Sequence, residues 1–446
     1  MPDTELETRT WIKLDLLAER ARREPQCQFT SLAHLLDEGF LADCYHRLGR
    51  DRASGVEGVT WQGYGEHLTE NLRDLVARMK AKRYRPQPAK RVYIPKDAHS
   101  QRPLGLPALE DKIVQVGIAL ILGAIYEADF RDCSYGFRPG RGCHDALNAV
   151  DKTIMTQPIN HVIDADIKGF FDNVSHSWLE KCLRVRIKDP SFLLLIQRFL
   201  KAGYVEAGQF VATEQGTPQG GNLSPLLSNV FLHYVLDLWF EQRLKPQVRG
   251  VCSLVRYADD FVVLVQYQED ARLILQLLRE RFTQCDLVLH PDKTRLLSFG
   301  RYERQNARRQ KRRANTFDFL GFTHFCAESR RGKFIVGRQT SRKKYRQKCQ
   351  ELRTWLQKVR SQIPVKEWWP VLKAKLQGHY QYYGVSGNMR GLTRYYRYAI
   401  RLVKKWLNRR SQRRSFSWER FLAYLGHYPL PTPRIVHNLY TLSPVR

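Results

Sequence analysis

The segment CSLVRYADDFVVLV, from Cys252 to Val265, places two adjacent carboxylates, Asp259 and Asp260, between two apolar runs. Short runs rich in β-branched and aromatic residues favour β-strands, so the segment predicts two strands joined by a tight hairpin. Aspartate is frequent in turns, and one interpretation is that the pair does no more than bend the chain. The other is that a buried sheet brings two negative charges to one point, where they hold a cation.

Positive charge is concentrated in the last third of the chain. The 446 residues contain 74 Lys and Arg against 44 Asp and Glu, and residues 301–446 alone contain 35 against 6. So uneven a distribution predicts a polyanionic partner bound by one basic module. Aromatic residues are interleaved with the cations in HYQYYGVSG and RYYRYAIRLVKKWLNRR. Flat rings beside cations suit bases and sugars next to phosphates, which favours nucleic acid over a membrane surface.

The composition argues against several other classes of protein. The longest nearly apolar stretch, Ile113 to Tyr126, is too short to cross a bilayer and predicts a buried helix. The acidic start MPDTELETRT predicts neither a secretory signal nor a transit peptide. Nine scattered cysteines without a C-x-x-C pair indicate reduced thiols and no structural zinc site, so we expect a cytoplasmic protein.

A second acidic strand precedes the hairpin. In HVIDADIKGFFDNV, His161 to Val174, Asp164 and Asp166 lie two residues apart and so share one face of a predicted strand. Acids that converge from two neighbouring strands are costly to bury unless cations neutralise them. Carboxylate oxygens suit Mg²⁺, and two such ions about 3.5–4 Å apart can activate a hydroxyl and stabilise a leaving pyrophosphate. The residues alone predict phosphoryl transfer on nucleic acid, by either a polymerase or a nuclease.

The order of motifs along the chain resembles the reverse transcriptases encoded by group II introns. RYADD on a predicted hairpin, with DIKGFFD upstream of it, resembles the palm of these enzymes. Other segments resemble the family's remaining motifs: RASGVEGVT, IPKDAHSQRPLGLPALEDKIVQ, YGFRPGRGCHDA, GTPQGGNLSPLLSNVFL, LVLHPDKTRLLSFG, FDFLGF, KLQGHYQYYGVSGN and NRRSQRRSFSWERF. Each segment is short, but the ordered set covers nearly the whole chain and is specific to the family.

The resemblance implies a metal site and a proton donor. Asp166, Asp259 and Asp260 would be the ligands of two Mg²⁺ ions, and Lys293 in HPDKT would be a general acid for the departing pyrophosphate. The family pattern leaves Asp164 and Asp172 as structural residues.

The resemblance also implies a nucleotide site. Lys96 and Arg102 would hold the triphosphate of the incoming nucleotide, and Gln219 would contact its sugar region. Phe171 would lie under the sugar as a steric gate that rejects a 2′-hydroxyl, so that the substrate is a dNTP. An ordinary core phenylalanine at position 171 and a plain turn around Gln219 remain alternatives.

The implied architecture is an α+β fold, a right-hand polymerase with fingers and palm followed by a C-terminal α-helical thumb or maturase domain. Residues 1–85 are expected to form an N-terminal helical extension with a loop that covers the template, and residues 86–325 the fingers and palm. Residues 340–430 would form the helical RNA-binding domain and residues 431–446 a C-terminal tail. The Arg-, Gln- and Asn-rich segment 301–314 predicts a linker.

The implied function is that of an RNA-directed DNA polymerase that also binds its intron RNA and promotes splicing and mobility. Expected partners are intron RNA, an RNA template with a DNA primer, target DNA and dNTPs, with no membrane and in the cytoplasm or nucleoid of a bacterium. No paired-cysteine endonuclease motif occurs, so we expect a short form similar to the class C intron proteins. Two alternatives remain: a splicing maturase whose polymerase is dispensable, and a domesticated relative that serves repair or defence.

Overall fold

The computed structural model describes residues 4–51, 53–95, 101–217, 220–409 and 416–440. The helices are α1 Thr4–Arg23, α2 Glu38–Arg47, α3 Trp61–Gly65, α4 Leu68–Lys80, α5 Leu109–Tyr126, α6 Cys143–Thr156, α7 Phe170–Asn173, α8 His176–Arg184, α9 Pro190–Leu200, α10 Ser224–Leu232, α11 Gln268–Gln284, α12 Glu303–Arg309, α13 Arg342–Gln362, α14 Val365–Tyr383, α15 Met389–Asn408 and α16 Trp418–His427. The strands are β1 Ala89–Pro95, β2 Gln101–Leu106, β3 His161–Ala165, β4 Tyr204–Glu206, β5 Gln209–Val211, β6 Cys252–Tyr257, β7 Asp260–Val265, β8 Arg295–Ser298, β9 Thr316–Phe319, β10 Phe322–Glu328 and β11 Phe334–Thr340.

The central sheet has the strand order β6-β7-β3-β8, with antiparallel pairing throughout. Every residue of β7 after Asp260 is buried, because α11 covers one face of the sheet and α6 contacts the other. Successive side chains of a strand point to opposite faces. Val263 therefore belongs to the core shared with α11, whereas Val262 and Leu264 belong to the core shared with α6. Burial on both faces explains why the hairpin strands are continuously apolar.

A second sheet, with the order β2-β1-β4-β5, lies earlier in the chain and forms part of the fingers. Its β1–β2 hairpin pairs Ile94 with Arg102, and β1 also pairs in parallel with β4. The predicted buried helix is present as α5, whose residues Ile113, Ile118 and Ile121 are fully buried. No helix in the described part of the chain is both long and apolar enough to span a bilayer.

The C-terminal helices share a hydrophobic core with the central sheet. Leu376 of α14 and Leu402 of α15 belong to the same cluster of buried side chains as Val262 and Leu264 of β7. A three-stranded sheet, β11-β10-β9, lies between these parts of the chain, and α13 follows β11 after Ser341. The Ser341 hydroxyl accepts a hydrogen bond from the Lys344 amide at the start of α13, which is a normal helix N-cap. Thumb and palm are therefore joined by apolar packing as well as by the chain.

The prediction of a linker at residues 301–314 is wrong. This segment contains α12, and its Glu303 is 3% exposed despite the basic surroundings. Arg312 donates to both carboxylate oxygens of Glu303 at 2.6 and 3.0 Å, and the Asn315 amide donates to it at 2.8 Å. Glu303 thus pairs with Arg312 and attaches this basic segment to the rest of the protein.

Candidate active site

The structure brings the three predicted metal-binding carboxylates to one end of the central sheet. Asp259 lies in the turn between β6 and β7, and Asp260 is the first residue of β7. Strand β3 is antiparallel to β7, with Ala165 opposite Phe261. Asp166 directly follows Ala165, so it leaves β3 at the end of the sheet where Asp260 begins β7. This convergence across neighbouring strands is the arrangement expected from the sequence.

Negative charge accumulates at this end of the sheet. The pKa of Asp260 is raised to about 7, first by desolvation and then by the carboxylates of Asp259, Asp166 and Asp164. Solvent still reaches the Asp260 side chain, because the residue lines an open cavity, but protein surrounds it on the other sides. A bound cation would relieve the repulsion between these oxygens, and hard oxygen donors suit Mg²⁺.

Lys293 contacts one of the predicted metal ligands directly. Its Nζ lies 2.7 Å from Oδ2 of Asp166. The segment before it is held against the residues after β3, since the His290 amide donates to the Asp166 carbonyl at 2.8 Å. Across the described ranges, no three His, Cys, Asp or Glu side chains are assembled into a metal-binding cluster. Because Lys293 already pairs with Asp166, a cation shared by Asp166 and the hairpin has to compete with the Lys293 ammonium.

Asp164 differs from its neighbour Asp166 in its pairing. Its Oδ2 accepts a hydrogen bond from Arg295 at 2.8 Å, and the Asp164 side chain is 18% exposed. Arg295 lies opposite Asp164 on β8, so the pair is fixed by strand register. A carboxylate held in this way neutralises an arginine within the sheet.

A buried arginine that sequence reasoning missed supports the hairpin turn. Arg256 and its ion-pair partner Asp237 are both fully buried. The guanidinium donates to Asp237 Oδ1 at 2.7 Å, Asp237 Oδ2 at 2.5 Å, Asn229 Oδ1 at 3.1 Å, Ser134 Oγ at 2.7 Å and the Ala258 carbonyl at 2.9 Å. Ala258 has φ of 55°, a left-handed conformation that costs a residue with a Cβ about 1–2 kcal/mol. Arg256 thus ties the strained residue beside Asp259 to the interior.

Two of the predicted nucleotide-binding residues lie together, and two lie outside the described residues. The Arg102 guanidinium lies over the Phe171 ring, 5.9 Å from its centroid. Phe171 is half-buried at the edge of a cavity and follows Gly169, which has φ of 55°. Lys96 and Gln219 are the two that the structure does not describe.

The glycines that follow Gln219 are explained by the protein's own packing. A Cβ at Gly220 would lie 2.6 Å from the Gly105 carbonyl oxygen, and one at Gly221 would lie 2.8 Å from Oε1 of Gln115. The segment therefore approaches β2 and α5 closely. This requirement holds whether or not a nucleic acid also passes nearby.

The loop expected to cover the template is attached to the body of the protein. The Lys112 ammonium donates to the Ala53 carbonyl at 2.6 Å. A Cβ at Gly55 would lie 2.6 Å from the Ala108 amide nitrogen, so the loop passes close to the start of α5. Glu57 accepts a hydrogen bond from Gln87 at 2.5 Å.

A basic and aromatic channel opens beside Asp260. Its wall includes Lys344 and Lys348 of α13 and Lys375 and His379 of α14. Both ring nitrogens of His379 are buried without a hydrogen-bond partner in the described residues, and the ring stacks on Tyr395 with centroids 3.8 Å apart.

The sequence left open whether the tyrosines of HYQYYGVSG contact nucleic acid or form the core. Tyr380 and Tyr383 are buried at 2% and 4% exposure and belong to the core. Tyr382 is only partly buried and donates to the Leu320 carbonyl at 3.0 Å. Tyr382 and Tyr383 also border the channel beside Asp260.

Comparison with known proteins gives a consistent result. The family model described as reverse transcriptase (RNA-dependent DNA polymerase) matches residues 94–324. The chain is 32% identical over 304 residues to group II intron-encoded protein LtrA of Lactococcus lactis subsp. cremoris, which covers 65% of this chain and 50% of the relative. It is also 32% identical over 342 residues to protein YkfC of Escherichia coli (strain K12), covering 69% and 84% respectively.

A shorter match extends to Nuclear intron maturase 1, mitochondrial, of Arabidopsis thaliana, at 28% identity over 116 residues, 26% of this chain and 16% of the relative. The chain spans about half the length of the Lactococcus protein. The family match falls on the part of the chain that carries β3, the RYADD hairpin and β8. This chain belongs to the reverse transcriptase family, and the relatives that it resembles include a group II intron-encoded protein.

Proposed function

We propose that this protein is an RNA-directed DNA polymerase that extends a DNA primer on an RNA template with dNTPs. The observation that carries the proposal is the meeting of Asp166 with Asp259 and Asp260 at one end of the central sheet. The three carboxylates come from two separate parts of the chain, and the pKa of Asp260 is raised by burial and by the other acids, so a divalent cation bound between them would relieve their repulsion. The adjoining basic channel is suited to a nucleic-acid strand.

Asp166, Asp259 and Asp260 would hold two Mg²⁺ ions. When bound, such ions lower the pKa of a primer 3′-hydroxyl and stabilise the charge on the leaving pyrophosphate. The carboxylates orient the reacting groups at the sheet edge, because β3 and the hairpin fix their backbones. Arg256 acts through Ala258 and keeps the turn that carries Asp259 in position.

Lys293 and Arg102 supply positive charge on the nucleotide side. The Lys293 ammonium, which pairs with Asp166, would donate a proton to the pyrophosphate as it leaves. Arg102 would bind phosphate oxygens through its planar fork of donors. The Arg102 guanidinium lies over the Phe171 ring, which supports a site where Arg102 would hold phosphate and Phe171 would exclude a 2′-hydroxyl. Lys96 and Gln219 would complete the same site.

The primer strand would follow the channel between the hairpin and the thumb. Lys344 and Lys375 present their charges there, next to Asp260, whereas Lys348 is paired with Glu351 at 2.8 Å. Because α13 and α14 share a core with β7, the distance between these lysines and the carboxylates is set by packing.

We also propose that the protein binds the intron RNA that encodes it and assists its splicing. The concentration of positive charge in residues 301–446, 35 Lys and Arg against 6 Asp and Glu, supports an RNA partner. The names of two relatives, a group II intron-encoded protein and an intron maturase, support the choice of intron RNA. Target DNA would be the primer in the same reaction.

Primer extension on an RNA template tests the polymerase proposal. Asp259→Asn should reduce synthesis by at least about 10³-fold, equivalent to roughly 4 kcal/mol of transition-state stabilisation. Asp164→Asn is the matched control, because it removes a neighbouring charge that is already paired with Arg295, and it should retain most of the activity. Equal synthesis by wild type and Asp259→Asn would reject the assignment.

A splicing assay with the same Asp259→Asn protein separates the two proposed roles. RNA binding through the basic helices does not use the hairpin carboxylates, so splicing assistance should survive the substitution. A protein that assists splicing yet fails to extend primers even as wild type would be a maturase without polymerase activity.

A further inference from the structure

Helix α15 has two opposite faces of different character. Its buried residues, which include Tyr395, Ala399 and Leu402, pack against the rest of the thumb. At about 100° per residue, four exposed arginines fall together on the opposite face. These are Arg390, Arg394, Arg397 and Arg401. We call them the α15 arginine row.

The α15 arginine row forms a recess with two tyrosines rather than a flat charged surface. Tyr345 of α13 and Tyr398 of α15 line the same recess as the four arginines. The Arg394 guanidinium lies over the Tyr345 ring, 4.6 Å from its centroid. Both rings are half-buried, so part of each remains accessible to solvent.

The charge of the row is not neutralised by the surrounding protein. Helix α15 contains no Asp or Glu. Among the residues that the structure describes, no carboxylate lies within ion-pair distance of any of the four guanidinium groups. On a solvent-exposed helix without a binding role, arginines usually form i,i+4 ion pairs with acidic residues. That pattern is absent from α15.

The recess is separate from the primer channel beside Asp260. Tyr395, which lines the channel, lies on the buried face of α15, whereas Arg394 lies on the opposite side of the helix. On α13, Lys344 and Lys348 likewise line the channel, while Tyr345 lines the recess. The helix pair α13–α15 therefore stands between two cationic surfaces, and a strand that fills one does not fill the other.

We propose that the α15 arginine row with Tyr345 and Tyr398 is a second nucleic-acid site, which binds the phosphate backbone of a folded RNA and stacks an unpaired base. The row is about 16 Å long, at 1.5 Å per residue, enough to contact several successive phosphates. Arginine forks match phosphate oxygens, and tyrosine faces accept bases that have left a helix, as bases in RNA loops do. This inference rests on the proposed function in that the natural RNA would be the intron.

Binding measurements with a defined probe test the site. The probe is a fluorescein-labelled RNA stem–loop with an unpaired loop, and the competitor is a DNA hairpin of the same sequence. The quadruple variant R390Q/R394Q/R397Q/R401Q should bind the RNA at least about tenfold more weakly near 0.1 M salt. Its plot of log affinity against log salt should be shallower by about 3, since each lost phosphate contact removes about 0.7–1 from the slope.

A matched control removes the same charge elsewhere. R243Q/R249Q/R272Q/R279Q changes four exposed arginines that lie outside the thumb, and it should bind the RNA like the wild type. A quadruple Arg→Lys variant of the row should recover part of the affinity, because it restores charge without the fork geometry. Thermal melting of all variants shows whether each remains folded.

Three outcomes would overturn the inference. Equal loss of affinity in the row variant and the control would mean that only net charge matters. A row variant that loses affinity for the DNA hairpin as strongly as for the RNA stem–loop would exclude a site selective for RNA. A row variant that loses extension of a pre-annealed primer–template as strongly as it loses RNA binding would place the row in the primer site.

The two proposals can fail separately. If the wild type extends no primer at all but the row variant alone loses RNA binding, the polymerase proposal fails and this site stands.

Discussion

Substitution of Arg256 by Lys probes how the hairpin turn that carries Asp259 is held in place. The guanidinium makes five hydrogen bonds at a fully buried position, two of them to Asp237. An ammonium has three donors on a single nitrogen, so at least two of these acceptors lose their partner. A buried polar group left unsatisfied costs about 1–3 kcal/mol, and we expect a total loss of about 3 kcal/mol.

The loss of the Ala258 contact should also affect catalysis. Without a donor to its carbonyl, Ala258 can leave its left-handed conformation and carry Asp259 with it. We therefore expect kcat for primer extension to fall at least about tenfold at a temperature where the variant is folded, with a smaller change in KM for dNTP. Melting of the palm should occur roughly 6–12 °C lower, at about 2–4 °C per kcal/mol.

Arg338→Lys provides the comparison that can refute this reasoning. Arg338 is also fully buried and ion-paired, to Asp151 at 2.6 Å, but this pair joins α6 to β11 away from the turn. It should lower the melting temperature while leaving kcat of the folded fraction close to the wild-type value. If the two variants lose the same proportion of activity at matched folded fractions, Arg256 is a general stabilising residue and does not position Asp259.

Three other substitutions test neighbouring parts of the structure. Gly136→Ala should displace the turn and reduce primer extension at least tenfold, because its Cβ would lie 2.4 Å from the Ala258 amide nitrogen; normal extension would contradict this contact. Phe171→Ala should allow ribonucleotides to compete with dNTPs, measured as the ratio of kcat/KM values, and an unchanged ratio would assign Phe171 to the core. Burial raises the pKa of Asp111 to about 7, so the folded protein holds a proton that the unfolded chain releases near pH 4. The stability of the wild type should therefore fall relative to Asp111→Asn between pH 4 and 7 in thermal melts, and parallel curves would contradict this.

Features that depend on short stretches of sequence could be predicted. The hairpin at Asp259 and the helix α5 follow from apolar runs with clear ends, and both are present. The strand β3, which ends just before Asp166, was also predictable, because apolar residues alternate with Asp164 and Asp166 in the sequence. The motif order then identified the family and the right-hand fold, which the family match confirms.

Features that depend on distant partners could not be predicted. Arg256 interrupts an apolar run, which is a signal for a buried ion pair, but nothing in the sequence indicates that its partners are Ser134, Asn229 and Asp237. The helix α12 was missed for the same reason, since the ion pair between Glu303 and Arg312 that supports it forms only after the chain has turned. The ion pair between Lys293 and Asp166 joins residues far apart in the chain and depends on the contact of residue 289 with residue 167.

Apolar packing inside the protein and the proposed phosphate contacts of the α15 arginine row differ in their response to salt. The primer channel keeps its shape because Val262 and Leu264 of β7 share one core with Leu376 and Leu402 of the thumb. Apolar burial is little affected by moderate salt, whereas phosphate contacts are screened and lose affinity steeply. Raising the salt concentration should therefore release RNA from the α15 arginine row well before thumb and palm separate. We therefore expect RNA to exchange without a change in the relative positions of the carboxylates and the channel beside Asp260.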